Sequence, residues 1–144
     1  MNNYETLFVI KPTLTDEETA TQIAKVTETL EKEGAEILAT NKMGMRRLAY
    51  PVAKHERGVY TIIYFKAAGS VIAEFERKLK FNEDVIKYLT VKYTKKKELA
   101  QFDKLVSAAN GTKEETKAEE TKAEEPQVEE APKAEEATTE NVEA

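Results

Sequence analysis

Cysteine is absent from the 144 residues, which removes disulfides and thiol chemistry and fits a reducing compartment. Long apolar runs are absent as well. Nothing approaches the roughly 20 residues needed to span a bilayer, and the opening Met-Asn-Asn-Tyr-Glu lacks a basic region followed by an apolar stretch. A soluble, cytosolic protein without membrane contact is the expectation. Catalytic apparatus is equally scarce. His55 is the single histidine and sits in a charged stretch; no Ser lies in a nucleophile elbow, and no Gly-rich loop is shaped to cradle phosphate. The acidic pairs Glu17-Glu18 and Glu83-Asp84 read as a helix start and a turn. An enzyme is therefore not expected, nor a cofactor, a metal or a small-molecule substrate.

What is present is charge, unevenly spread. The formal total is −5, yet from Lys113 onward twelve Glu face four Lys, leaving 15 acidic against 18 basic residues before it. The body is mildly basic and the end strongly acidic, an asymmetry that points to an anionic partner for the body and a solvating tail. Residues 113–144 hold only Ala and two Val as apolar residues, repeat Thr-Lys-Ala-Glu-Glu at 116–120 and 121–125, and are interrupted by Pro126 and Pro132. Nothing there can bury a core, so a disordered acidic tail is expected.

Residues 1–97 read as one domain. Tyr4 to Lys11 alternates Thr6, Phe8 and Ile10 with Leu7 and Val9, a strand with apolar residues on both faces, stopped by Pro12. Thr15-Asp16-Glu17-Glu18 is a capping box for a helix whose Ala20, Ile23, Val26, Thr27 and Leu30 form the apolar face, with Gly34 as its C-terminal cap. A second strand runs from Ala35 to Ala49 with a bend near Gly44. Val52 to Arg57 reads as a polar connection, Gly58 as a turn, and Val59 to Phe65 as a third strand. Gly69 and Ser70 open a second helix through Ile72, Phe75 and Leu79; Asn82-Glu83-Asp84 turns the chain into a fourth strand, Val85 to Tyr93. Leu99, Phe102, Leu105, Val106 and Ala109 then recur at helical spacing before Gly111, giving a short amphipathic helix within 98–112. It docks on the domain or frays.

The order βαββαβ predicts an α+β, ferredoxin-like fold: a four-stranded antiparallel sheet with two helices on one face and strands one and three in the middle. Both central strands carry apolar residues on both sides. Either Leu7 and Val9 or Phe8 and Ile10 must therefore lie on the open face, where an apolar patch marks a partner site. The alternative is that the 97–109 helix or a second copy of the chain covers it.

Lys42-Met43-Gly44-Met45-Arg46-Arg47-Leu48-Ala49-Tyr50-Pro51 is the most distinctive segment. Lys42, Arg46 and Arg47 set positive charge beside a glycine able to bulge a strand, and Pro51 ends the pairing. Two readings stand: a grip on phosphates, or a charged strand edge that resists aggregation.

Gly44 to Val52, together with Arg77-Lys78-Leu79-Lys80-Phe81-Asn82-Glu83-Asp84-Val85-Ile86-Lys87-Tyr88, resembles the family of the sixth protein of the bacterial small ribosomal subunit, the ribosomal protein S-six family. Tyr4-Glu5, Lys11-Pro12 and Gly58-Val59-Tyr60 fit it too, so the resemblance covers roughly residues 2–97. It implies a ferredoxin-like domain that binds the central domain of 16S ribosomal RNA together with ribosomal protein S-eighteen. On that reading Lys42, Arg46, Arg47, Lys54 and Arg57 meet phosphates, with Lys80 and Lys87 beside them. Tyr50 stacks on a base or packs on its strand. Leu7 and Val9, with Leu89 and Val91 of strand four, would take the protein partner. Lys95-Lys96-Lys97 is a generic cationic run that touches RNA or solvates the end of the fold.

An RNA-recognition motif shares this element order, but Arg57 to Tyr64 lacks the aromatics its signature needs at the third and fifth positions. The remaining alternative is a ferredoxin-like regulatory module that binds a small molecule or another protein. No residue pattern specifies its pocket.

Overall fold

The computed structural model describes residues 1–122, with side chains described to residue 111. Of the acidic region expected to be disordered, residues 123–144 lie outside the described residues. The elements run β1 (Asn2–Ile10), α1 (Asp16–Lys32), β2 (Glu36–Val52), β3 (His55–Ala67), α2 (Gly69–Phe81), β4 (Val85–Tyr93) and α3 (Lys96–Lys122). The strands form one antiparallel sheet in the order β2-β3-β1-β4, the α+β ferredoxin-like arrangement. β1 and β3 are central, and α1 and α2 pack on one face.

Strand alternation assigns the faces. Tyr4, Phe8, Ile10, Ile63 and Phe65 meet Ile23, Val26 and Leu30 of α1 and Phe75 and Leu79 of α2. Phe65 stacks on Tyr4 with centroids 5.8 Å apart and takes Phe75 edge-on at 6.0 Å. Each fully buried side chain of this size adds about 1.5–3 kcal/mol. The first strand is thereby settled: Phe8 and Ile10 look toward the helices, and Leu7 and Val9 toward the other side.

Local chemistry sets the element ends. The Thr15 N–H donates to Glu18 Oε2 at 2.9 Å and the Glu18 N–H donates to Thr15 Oγ1 at 3.2 Å, the reciprocal capping box. At the other end Ala35 N–H reaches Leu30 O and Gly34 N–H reaches Glu31 O, while Gly34 adopts φ +84°. Within α1 it is Thr19 that is buried, and Ala20 faces solvent. The bend in β2 is a bulge at Gly44, φ +75°, where the pairing with β3 slips between Lys42 and Gly44.

Two expectations about the hairpin need correction. The turn between β2 and β3 is not at Gly58 but at Ala53-Lys54, both at positive φ (47° and 65°), between the paired Val52 and His55. That is the left-handed pair of a two-residue hairpin, adopted here without the usual Asn or Gly. Gly58 lies inside β3, where a Cβ would fall 2.3 Å from Val9 Cγ1 and 3.2 Å from Ile10 O. Its role is close approach of two strands, not a change of direction.

α3 packs on the opposite face of the sheet. Glu98 accepts from the backbone N–H groups of Thr94 (3.1 Å) and Lys95 (3.0 Å), which hold its carboxyl below the usual carboxylate range. Phe102 is fully buried between Tyr64, edge-on at 5.7 Å, and Tyr93, tilted at 5.0 Å. Ala109 is buried beside Ala39, and Asn110 Nδ2 donates to Leu38 O at 3.4 Å. The helix continues through Gly111 to Lys122. One helical glycine costs only about 1 kcal/mol.

Candidate nucleic-acid and protein interface

The interface begins with the long β2–β3 hairpin. Lys42, Arg46 and Arg47 lie on β2, Lys54 in the turn and Arg57 on β3, and all five are exposed. Arg47 stands directly opposite Arg57 in the register. Like charges in that position destabilise a hairpin, and a bound anion would relieve the repulsion. Arg46 Nε donates to Met43 O at 3.4 Å across the bulge. Among the described residues none of these cations forms a salt bridge, whereas Lys11, Lys32, Arg77, Lys78 and Lys95 all do.

Topology brings further cations to the same end of the sheet. Ile10 at the end of β1 pairs with both Val59 and Val85, and Lys11 N–H bonds Asp84 O at 2.9 Å. The hairpin tip, the start of β4 and the α2–β4 corner therefore share one pole, which adds Lys80 and Lys87. Lys87 reaches across to Tyr50. Its ammonium bonds the Tyr50 hydroxyl and lies 4.4 Å from the ring centroid. Tyr50, 58% exposed, is thus clasped by a cation rather than packed on its own strand.

Beside this pole, the sheet face away from α1 and α2 carries an apolar groove of about 150 Å³. Leu7, Val9, Tyr60 and Leu89 make its floor, and Leu48 and Val52 of the hairpin its wall. Tyr50 and Lys87 border it. Of the four apolar positions expected at the partner site, Leu89 (57% exposed) and Val91 are open and Leu7 is half-buried. Val9, 2% exposed, is sealed beneath the hairpin and acts as floor rather than contact. α3 covers the far part of this face, over Ile62, Tyr64 and Tyr93. Leu48, Val52 and Tyr60 were not foreseen as lining residues, since the curl of the hairpin over the sheet leaves no mark in alternation.

His55 is half-buried in β3. Among the described residues no group of three or more His, Asp or Glu could hold a metal, and no helix is long and apolar enough to cross a membrane.

The domain thus joins a ferredoxin-like sheet sealed on one face to an apolar strip on the other and a cluster of exposed, unpaired cations at one pole. Residues 3–92 match the family model described as Ribosomal protein S6. The small ribosomal subunit protein bS6 of Sulfurovum sp. is 66% identical over 114 residues, covering 79% of this chain and 90% of that protein. Its counterpart in Campylobacter lari is 50% identical over 118 residues, covering 82% and 95%. The crystal structure of 30S ribosomal protein S6 from Thermotoga maritima superposes with a TM-score of 0.64 at 27% identity, covering 74% of this chain and 97% of that one. The chain belongs to the ribosomal protein S6 family.

Proposed function

We propose that this chain, a non-enzymatic component of the small ribosomal subunit and so of the cytoplasm, binds the central domain of 16S ribosomal RNA together with ribosomal protein S-eighteen. The observation that carries the reading is the concentration of exposed, unpaired cations on the β2–β3 hairpin and the pole beside it. Lys42, Arg46, Arg47, Lys54, Arg57, Lys80 and Lys87 gather at one pole and lack carboxylate partners among the described residues; of the cations elsewhere, Lys11, Lys32, Arg77, Lys78 and Lys95 are paired, and Lys25, Lys66, Lys92, Lys96, Lys97 and Lys104 are not. Unpaired cations on a rigid hairpin suit phosphates, which position a protein on folded RNA. Leu7, Leu89 and Val91 lie on the adjoining face and suit an apolar protein partner. RNA and S-eighteen would then be held by neighbouring surfaces of one domain, each raising the effective concentration of the other.

The test is composition. Small subunits purified from the source cells should contain this chain at close to one copy each, measured by mass spectrometry against the other subunit proteins. Its absence there would overturn the reading.

A further inference from the structure

We infer that Phe81, backed by Arg77, is a stacking platform for an unpaired base of the bound RNA; this rests on the RNA-binding reading above. Phe81 ends α2 at the cationic pole and is 71% exposed, the most exposed large apolar side chain among the described residues apart from Met1. Exposure of single apolar residues is ordinary, but Phe81 shares its pole with the exposed Met45 and Tyr50 of the hairpin. Apart from Met1, the exposed large apolar side chains among the described residues are Met45 and Tyr50 on the hairpin, Phe81 at the α2–β4 corner, and Leu89 and Val91 on β4.

The ring is also prepared for stacking. Arg77 Nε and NH2 donate to the two carboxylate oxygens of Glu74 at 2.9 and 2.6 Å, which fixes the guanidinium 5.5 Å from the Phe81 centroid. The Arg77 guanidinium lies over the ring, and at 71% exposure most of the side chain is open to solvent and to a second flat group. Glu74 neutralises Arg77, so this pair contributes a surface rather than a phosphate contact. The neighbouring Lys80 lacks a carboxylate partner among the described residues and supplies the charge for the backbone of the same nucleotide. Tyr50 and Lys87 repeat the combination of exposed ring and cation on the same pole. Aromatic rings interleaved with cations are the means by which proteins hold unpaired nucleotides.

The test measures affinity of the full chain for a transcript of the 16S central domain, with S-eighteen present, over a range of salt. Phe81→Ala should weaken binding by about 5- to 150-fold, the range expected for loss of one base–aromatic stack. The slope of log affinity against log salt should stay unchanged, because a stack releases no counterion. Phe81→Trp should keep the affinity and Phe81→Leu should not restore it. In assembled subunits, ultraviolet crosslinking should join the peptide containing Phe81 to a nucleotide. Unaltered affinity of Phe81→Ala would overturn the platform, as would equal binding by Phe81→Leu and the unaltered chain. Weakened binding to S-eighteen without RNA would overturn it in favour of a protein contact. Failure of the unaltered chain to bind the transcript would instead overturn the functional reading on which it rests.

Discussion

The two faces of the sheet are made from the same four strands, with apolar residues on both, yet they are finished differently. On one, α1 and α2 close over Phe8, Ile10, Ile63 and Phe65, each completely buried. On the other, α3 covers Tyr64 and Tyr93 through Phe102, while Leu89 and Val91 remain open beside a groove. The first face holds the fold together, and the second keeps apolar surface that folding does not consume. The central strands read as apolar on both sides because the chain itself covers much of each face, Val9 lying beneath the hairpin and Tyr64 beneath α3, while the open Leu89 and Val91 lie on the edge strand β4.

Substitutions sharpen this contrast. The largest effect is expected for Phe8→Ala, which removes a fully buried ring from the closed face and should cost about 3–5 kcal/mol in denaturant unfolding, a large share of the stability of a small domain. A loss below 1 kcal/mol would mean that this face is loosely packed. Phe102→Ala should cost less, about 1.5–3 kcal/mol, and locally. Amide exchange should rise through residues 96–110 while β1 and β3 stay protected. Equal loss of protection throughout would make α3 an integral part of the main core.

Leu89→Glu should do the reverse of Phe8→Ala. Its exposed position keeps the stability change within about 0.5 kcal/mol, whereas affinity for S-eighteen should fall at least about tenfold as an unpaired charge enters a desolvated contact. Calorimetric unfolding and titration with S-eighteen read the two quantities separately. The smallest effect concerns a flaw on the closed face: Thr61 is fully buried and its Oγ1 has no hydrogen-bond partner. Thr61→Val keeps the shape and removes the stranded hydroxyl, so stability should rise by about 1 kcal/mol. A loss of stability would show that the hydroxyl is satisfied in solution.

Much of this was readable from the chain, and the failures have physical causes. The capping box at Thr15, the Gly34 cap, the Gly44 bulge and the bounds of β4 are all set by neighbours in sequence, and each is where local chemistry puts it. The Ala53-Lys54 turn was hidden because neither residue favours positive φ; the hairpin imposes that conformation through its pairing. Gly58 was misread because glycine signals both a turn and a close approach, and only the position of Val9 tells them apart. The cations were legible as a cluster along 42–57. The Tyr50–Lys87 clasp was not, since it joins residues 37 positions apart. The seat of α3 on Tyr64 and Tyr93 likewise depends on surfaces that exist only once the sheet has formed.

The division of labour within the molecule is tested most directly by the salt dependence of RNA binding. Affinity for the 16S central domain, with S-eighteen present, should be measured from low to physiological salt for the unaltered chain and for Arg46→Ala with Arg47→Ala. Both arginines are exposed and free of carboxylates, so the thermal midpoint should not fall, relief of the Arg47–Arg57 repulsion acting in the opposite direction. The salt slope should shrink in magnitude by about 1.4–1.8, two phosphate contacts at 0.7–0.9 each. An unchanged slope with a midpoint that has not fallen would contradict the account, leaving these arginines as a solvated strand edge and the cationic pole without its RNA.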